Sequence, residues 1–145
     1  MIPESEWRWF GWARHLIVGR DCRFHLATEV GDYLISTVGD YLPDEPIREI
    51  LAKVRGVVLE GTGDDRRADY MKKIGYEEIG CDRMYETMVF KLSQGPCGCG
   101  EGCGAREIAE WCEVDFARAN TQREATDAHM ELCRKYAAGV QEPKP

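Results

Sequence analysis

Six residues with soft metal-binding side chains fall in the last third of the chain: Cys97, Cys99, Cys103, Cys112, His129 and Cys133. Thiolate sulfur and imidazole nitrogen are donors that zinc takes four at a time in a tetrahedron. Cys97, Cys99 and Cys103 sit in a glycine-rich stretch whose backbone can curl tightly enough to turn thiolates inward. His129 and Cys133 are spaced i, i+4, so on a helix both project from one face. The expected site is a structural zinc held by two of Cys97, Cys99 and Cys103 together with His129 and Cys133. The Cys-x-Cys-x3-Cys spacing leaves open which loop cysteines serve, and Cys112 stands in reserve as either ligand or core thiol.

A catalytic zinc would need an open coordination position and a nearby carboxylate. Glu107, Glu110 and Glu131 are available, but helix surfaces ordinarily carry such residues. A second, weaker constellation joins His15, Cys22 and His25 on neighbouring predicted strands. Strand alternation sets His25 on the face opposite Phe24 and Leu26, which weakens it further. The sequence contains no Gly-x-Ser-x-Gly, Walker-type loop, dinucleotide fingerprint, His-Glu-x-x-His or EF-hand loop. Gly61-Thr-Gly63 before a helix could cradle an anion, but Asp64 and Asp65 follow and would repel it.

The bulk properties limit what this chemistry can serve. With 145 residues the chain suits one domain, or one compact domain with a small appendage. A net charge of -7, from 26 acidic and 19 basic side chains, offers no basic face for phosphate neutralisation. Nucleic-acid binding is therefore not expected. No apolar run is long enough to span a bilayer, and the segment Met1 to Phe10 is too rich in Trp, Glu and Arg to be a signal peptide. The expected location is the cytoplasm, where seven cysteines read as metal ligands and free thiols rather than as a disulfide framework.

These residues must be positioned by elements that the pattern outlines. Trp7, Trp9, Phe10 and Trp12 form an aromatic opening segment, either a seal on the core or a contact site for a protein partner. His15 to Val18 has strand character, and Arg23 to Val30 alternates with the two-residue period of a half-buried strand. Val30-Gly-Asp-Tyr-Leu34 and Val38-Gly-Asp-Tyr-Leu42 nearly repeat, and each Gly-Asp predicts a tight hairpin turn. Asp44 is placed to cap a helix burying Ile47, Ile50, Leu51 and Val54, with Gly56 closing it. Val57 to Leu59 reads as a buried strand. Next comes a helix burying Ala68, Met71 and Ile74, with Gly75 as its stop. Tyr76 to Ile79 and Met84 to Leu92 read as two further strands. Ile108, Trp111 and Cys112 suggest a short one-sided helix. Thr121-Gln-Arg-Glu124 matches a capping box, opening a helix to about Tyr136 with Gly139 beyond its end.

The fold class expected is α+β: a largely antiparallel sheet with two helices, over residues 7–93, followed by a helical zinc-binding module over 94–139 and a flexible tail over 140–145. Within the first part, over residues 57–92, Val57-Val-Leu-Glu-Gly-Thr-Gly-Asp-Asp-Arg-Arg-Ala-Asp-Tyr-Met-Lys-Lys-Ile-Gly-Tyr-Glu-Glu-Ile-Gly80 and Tyr85-Glu-Thr-Met-Val-Phe90 resemble the second half of GNAT acyltransferases. That resemblance implies a mixed sheet and an acyl-CoA-dependent N-acyltransferase. It puts Met71, next to Tyr70, where the family's helix tyrosine stands, and Pro43-Asp-Glu-Pro46 where its pyrophosphate loop opens a helix. The chain as a whole resembles small uncharacterised bacteriophage and metagenomic proteins, on Cys22-Arg-Phe-His-Leu26, Ile35-Ser-Thr-Val-Gly-Asp-Tyr41, Tyr85-Glu-Thr-Met-Val-Phe90 and the Cys/His tail. This implies a viral or host-cytoplasmic setting and no mechanism. The leading expectation is a non-catalytic accessory or binding protein with a structural zinc. The acyltransferase is the alternative, and a zinc hydrolase the third reading.

Overall fold

The computed structural model describes residues 1–11, 22–75 and 83–139. Strand-forming alternation between Cys22 and Tyr41 produces one long hairpin, β2 (Cys22–Val30) and β3 (Tyr33–Tyr41), turning at Gly31-Asp32. Strand β1 (Arg8–Phe10) pairs with the outer edge of β2, and β4 (Tyr85–Pro96) with the inner edge of β3. The far edge of β4 is shared. Its first half pairs with β6 (Asp115–Ala119), and its second half with β5 (Arg106–Ile108) across a register shift between Leu92 and Pro96. The six strands form a single sheet, and all pairings among the described residues are antiparallel. This is an α+β architecture with three α-helices among the described residues: α1 (Glu45–Val54), α2 (Asp64–Lys73) and α3 (Gln122–Ala137).

Helix α3 covers one face of the sheet. Thr121 caps it by accepting from the Glu124 N–H at 3.1 Å, and the Glu124 carboxylate accepts from the Asn120 N–H in return. Its buried residues Ala125, His129, Leu132, Cys133 and Tyr136 recur every three to four positions, which lays one stripe on the strands. Leu132, Cys133 and Tyr136 pack with Val30, Ile35, Val89 and Trp7. On the opposite face Ala27, Leu34, Phe90, Leu92 and Ile108 form a second cluster. Strand β4 runs through residues 93 and 94, β6 pairs with its first half, and α3 packs on the same sheet as the N-terminal strands.

Several local expectations change in three dimensions. Gly39-Asp40 is not a turn: β3 runs through it to Tyr41. The reason is on β4, where the Tyr85 ring lies against Gly39 so closely that a Cβ there would overlap it. The Tyr85 hydroxyl then donates to Asp40 at 2.7 Å, and Gln122 of α3 donates to the same carboxylate at 2.9 Å. Asp40 takes a left-handed backbone (φ 51°) to present itself there. The second Gly-Asp thus serves a close approach and a buried hydrogen bond.

Val57 to Leu59 lies outside the sheet. Leu59 instead joins Leu42, Ala52 and Tyr70 in a small core between α1 and α2. Helix α1 is capped by Asp44 as expected, but its orientation is reversed. The small Ala52 and the buried Arg48 face inward, with Arg48 donating to the Pro43 carbonyl at 2.7 Å. Ile47, Ile50 and Val54 are left exposed, at 41%, 61% and 78%, and Val58 lies exposed just beyond. In α2 the buried anchor is Tyr70, while Ala68 faces solvent. Around Ile108 the chain forms β5 rather than a helix, and Trp111 and Cys112 are exposed beyond it. The predicted strands at His15–Val18 and Tyr76–Ile79 lie outside the described residues, as do His15, Cys81 and the 140–145 tail.

Two substitutions test this packing by urea unfolding. Gly39→Ala is expected to destabilise by about 1–3 kcal/mol, the usual cost of forcing volume into a filled core. Ile50→Glu should stay within about 0.5 kcal/mol of the parent, because Ile50 buries little in the monomer.

Candidate metal site and the buried histidine

The segment between β4 and β5 is a hairpin tip closed where the Cys97 N–H donates to the Ala105 carbonyl at 2.9 Å. Gly100, Gly102 and Gly104 carry φ of 75°, 64° and 75°, a left-handed sequence that residues with a Cβ adopt only at a cost. This curl folds the loop back on itself. The sulfurs of Cys97, Cys99 and Cys103 consequently lie within 4.8 Å of one another, each half-buried. A tetrahedral zinc with Zn–S near 2.3 Å holds its sulfurs roughly 3.8 Å apart, so a small contraction of the loop closes the site. These three cysteines can hold a metal ion.

The Cys99 N–H donates to the Cys97 sulfur and draws its pKa down, but partial burial and the adjacent Cys99 and Cys103 thiols outweigh this and the net shift is upward. Crowded sulfurs resist ionising together unless a positive ion sits among them. The Glu101 N–H also points at sulfur, 3.4 Å from Cys99 Sγ. The loop is anchored to the sheet by Arg106. Its guanidinium donates to the Ser93 and Gly31 carbonyls at 2.8 and 2.7 Å and pairs with Asp32 at 3.0 Å, and the last contact holds the Asp32 carboxyl below its ordinary range. Arg8 on β1 adds a bond to the Gly104 carbonyl at 2.7 Å. A cleft of about 350 Å³, lined by Cys97, Cys103, Pro96 and Arg106 among others, opens beside the cluster.

The structure does not bring His129 and Cys133 to this loop. Both are on the stripe of α3 that faces the middle of the sheet, and both are fully buried. His129 Nε2 is 2.8 Å from the Thr28 hydroxyl and Nδ1 is 2.8 Å from that of Thr37, which in turn lies 2.7 Å from the Thr87 hydroxyl. Threonines of β2 and β3 therefore close the ring's polar edge, and one of β4 extends the chain of hydroxyls. Thr87 is near the start of β4 and Cys97 just past its end, which at about 3.3 Å per residue separates them by roughly 30 Å. Burial pushes the Cys133 thiol up to about 12, the state of a core thiol rather than of a ligand thiolate. The i, i+4 spacing correctly put both side chains on one helix face, but that face is the core.

Cys112 is exposed in the bend after β5 and is not part of the close cluster. Of the weaker constellation, Cys22 packs with Val38 and Tyr41, and the His25 Nδ1 is buried without a hydrogen bond. In the aromatic segment Trp7 is buried in the core under α3, and Trp9 is half-exposed with its ring 5.7 Å from that of His129. Glu107, one of the carboxylates weighed for an open zinc site, is not part of the close sulfur cluster. It sits on β5, and its carboxylate accepts from the Gly98 N–H at 2.5 Å, directly across the cysteine loop.

No protein-family model, curated protein or solved structure matches the chain. No helix among the described residues is long and apolar enough to cross a membrane.

The buried histidine yields a pH prediction. Desolvation lowers the His129 pKa from 6.5 to about 4, so the folded protein binds fewer protons there than the unfolded chain does. Stability from this residue is complete above pH 6.5 and is lost as the pH falls toward 4. Between pH 7.5 and 4.5, the parent should lose roughly 2–3 kcal/mol more unfolding free energy than His129→Gln, measured by urea denaturation.

Proposed function

We propose that this is a non-catalytic accessory or binding protein in which one zinc ion, held by Cys97, Cys99 and Cys103, staples the 97–104 loop. The observation that carries the reading is the convergence of three sulfurs on a loop whose own backbone N–H groups turn toward them. Zinc is favoured because thiolate donors select soft or borderline metals, and a sulfur-rich zinc site is typically structural. Three thiolates more than neutralise a dication. They leave it little charge with which to acidify a bound water, and this weighs against the hydrolase reading.

The acyltransferase reading draws no comparable support. Its fold would be expected to show a parallel pair of strands splayed apart, and the pairings among the described residues are antiparallel. A binding role fits the exposed apolar side of α1, surface that the chain does not use for its own packing.

Metal content tests the proposal. Protein purified without an affinity tag should carry about one zinc per chain, as four-coordinate single-ion sites do. Chelation should loosen the loop, seen as faster amide exchange across residues 97–106, and should leave the circular dichroism of α3 and the sheet unchanged. Absence of metal, with identical exchange before and after chelator, would remove the basis for the reading.

A further inference from the structure

Zinc seeks four donors, and the loop brings three sulfurs together. We infer that Cys97, Cys99 and Cys103 also form a binding site for a trivalent metalloid of the arsenite and antimonite class, taken up as a pyramidal tris-thiolate. This goes beyond the zinc reading, because it rests on the same sulfur cluster but not on the identity of a resident ion.

The count of donors carries the inference. Among the described residues, no ligand atom of a further His, Cys, Asp or Glu joins the three sulfurs within 4.8 Å of them all. Cys112, His129 and Cys133 stay outside the cluster. Thiolates select soft or borderline ions, and coordination number then separates those ions. Copper(I) and mercury(II) are commonly satisfied by two thiolates, whereas zinc completes a tetrahedron. Arsenic(III) and antimony(III) form three bonds, and a lone pair takes the fourth corner. For them the trio is a complete ligand set that needs no water or outside donor.

The loop also suits the exchange. Arsenite at neutral pH is the uncharged acid As(OH)3. Three S–H and three As–OH bonds break as three As–S bonds form, and each thiol proton leaves with a hydroxide as water. Arsenic stays trivalent, so no oxidant or reductant takes part. Cys97 and Cys103 line the cleft of about 350 Å³, which gives a small neutral molecule a way in. The sulfurs must draw closer than their present spread to share one arsenic. Gly100, Gly102 and Gly104 have nothing within 4 Å of where a Cβ would stand, so the tip can tighten without a clash. The Cys97–Ala105 hydrogen bond and the Arg106 contacts hold the base of the loop, which reduces the ordering that binding has to bring about.

The experiment uses the full chain, freed of metal by chelation and kept reduced with a phosphine, with arsenite as the probe. The parent should bind a single arsenic per chain, with a sulfur-to-arsenic charge-transfer band in the ultraviolet. X-ray absorption at the arsenic edge should find sulfur at all three bonded positions. Losing merely a hydrogen-bonded neighbour of a metal ligand costs about 10–100-fold in affinity, so Cys97→Ser, Cys99→Ser and Cys103→Ser should each weaken arsenite binding by at least about tenfold. Cys112→Ser should bind as the parent does, and circular dichroism checks that every variant is folded. An arsenic held by two sulfurs and an oxygen, no binding at all, parent-like binding in any loop variant, or loss in Cys112→Ser would overturn the inference. Zinc is measured separately on the protein as purified. A chain without zinc that binds arsenite through three sulfurs would lose the zinc reading and keep this one. A chain with zinc that refuses arsenite would do the reverse.

Discussion

The contact on which the fold depends is the seating of α3 on three adjacent strands through a buried imidazole. His129 has no access to water, so each ring nitrogen needs a partner within the protein. Thr28 and Thr37 provide them, and Thr87 extends the chain of hydroxyls onto β4. These partners exist only when β2, β3 and β4 are in register and α3 lies across them. The network thus penalises a slipped strand or a rotated helix with an unsatisfied buried polar group, a penalty that apolar packing alone would not impose. Leu132, Cys133 and Tyr136 supply burial around it, and Lys135 and Tyr136 tie the same helix to Asp115 of β6.

Once β4 is fixed in this way, its length decides what happens at the other end of the sheet. It continues well past its pairing with β3, and the overhang pairs with β5 instead. The cysteine loop is the tip of that overhang. Arg106 and Arg8 lash it to the β2–β3 turn and to β1, with the buried Glu29 linking Arg8 to the Arg106 backbone. The candidate metal site and the histidine network are therefore separate devices on one strand. One fixes the helix on the sheet. The other organises a hairpin that has few apolar contacts of its own.

Much of this was legible one element at a time. The caps of α1 and α3, the Gly31-Asp32 turn and the alternation along β2 and β4 are short-range signals, set by backbone geometry within a few residues. The failures share a cause. Gly39-Asp40 has the same local chemistry as Gly31-Asp32, yet the ring of Tyr85, more than forty residues away, turns it into a strand interior. Ile47, Ile50 and Val54 form a clear apolar stripe, but periodicity cannot say whether a stripe faces this chain's core or its surface.

The sequence by itself determined that the chain has an α+β content, that His129 and Cys133 share a helix face, and that a cysteine-rich loop follows a strand. Only the tertiary structure decided that these two residues belong to the core and that Cys97, Cys99 and Cys103 stand together. The physical reason is that ligand-type side chains at helical spacing are equally suited to a metal and to a hydrogen-bonded core. The choice lies with whatever the fold places opposite them. Here that is three threonine hydroxyls, each on a different strand, brought to one point by sheet register.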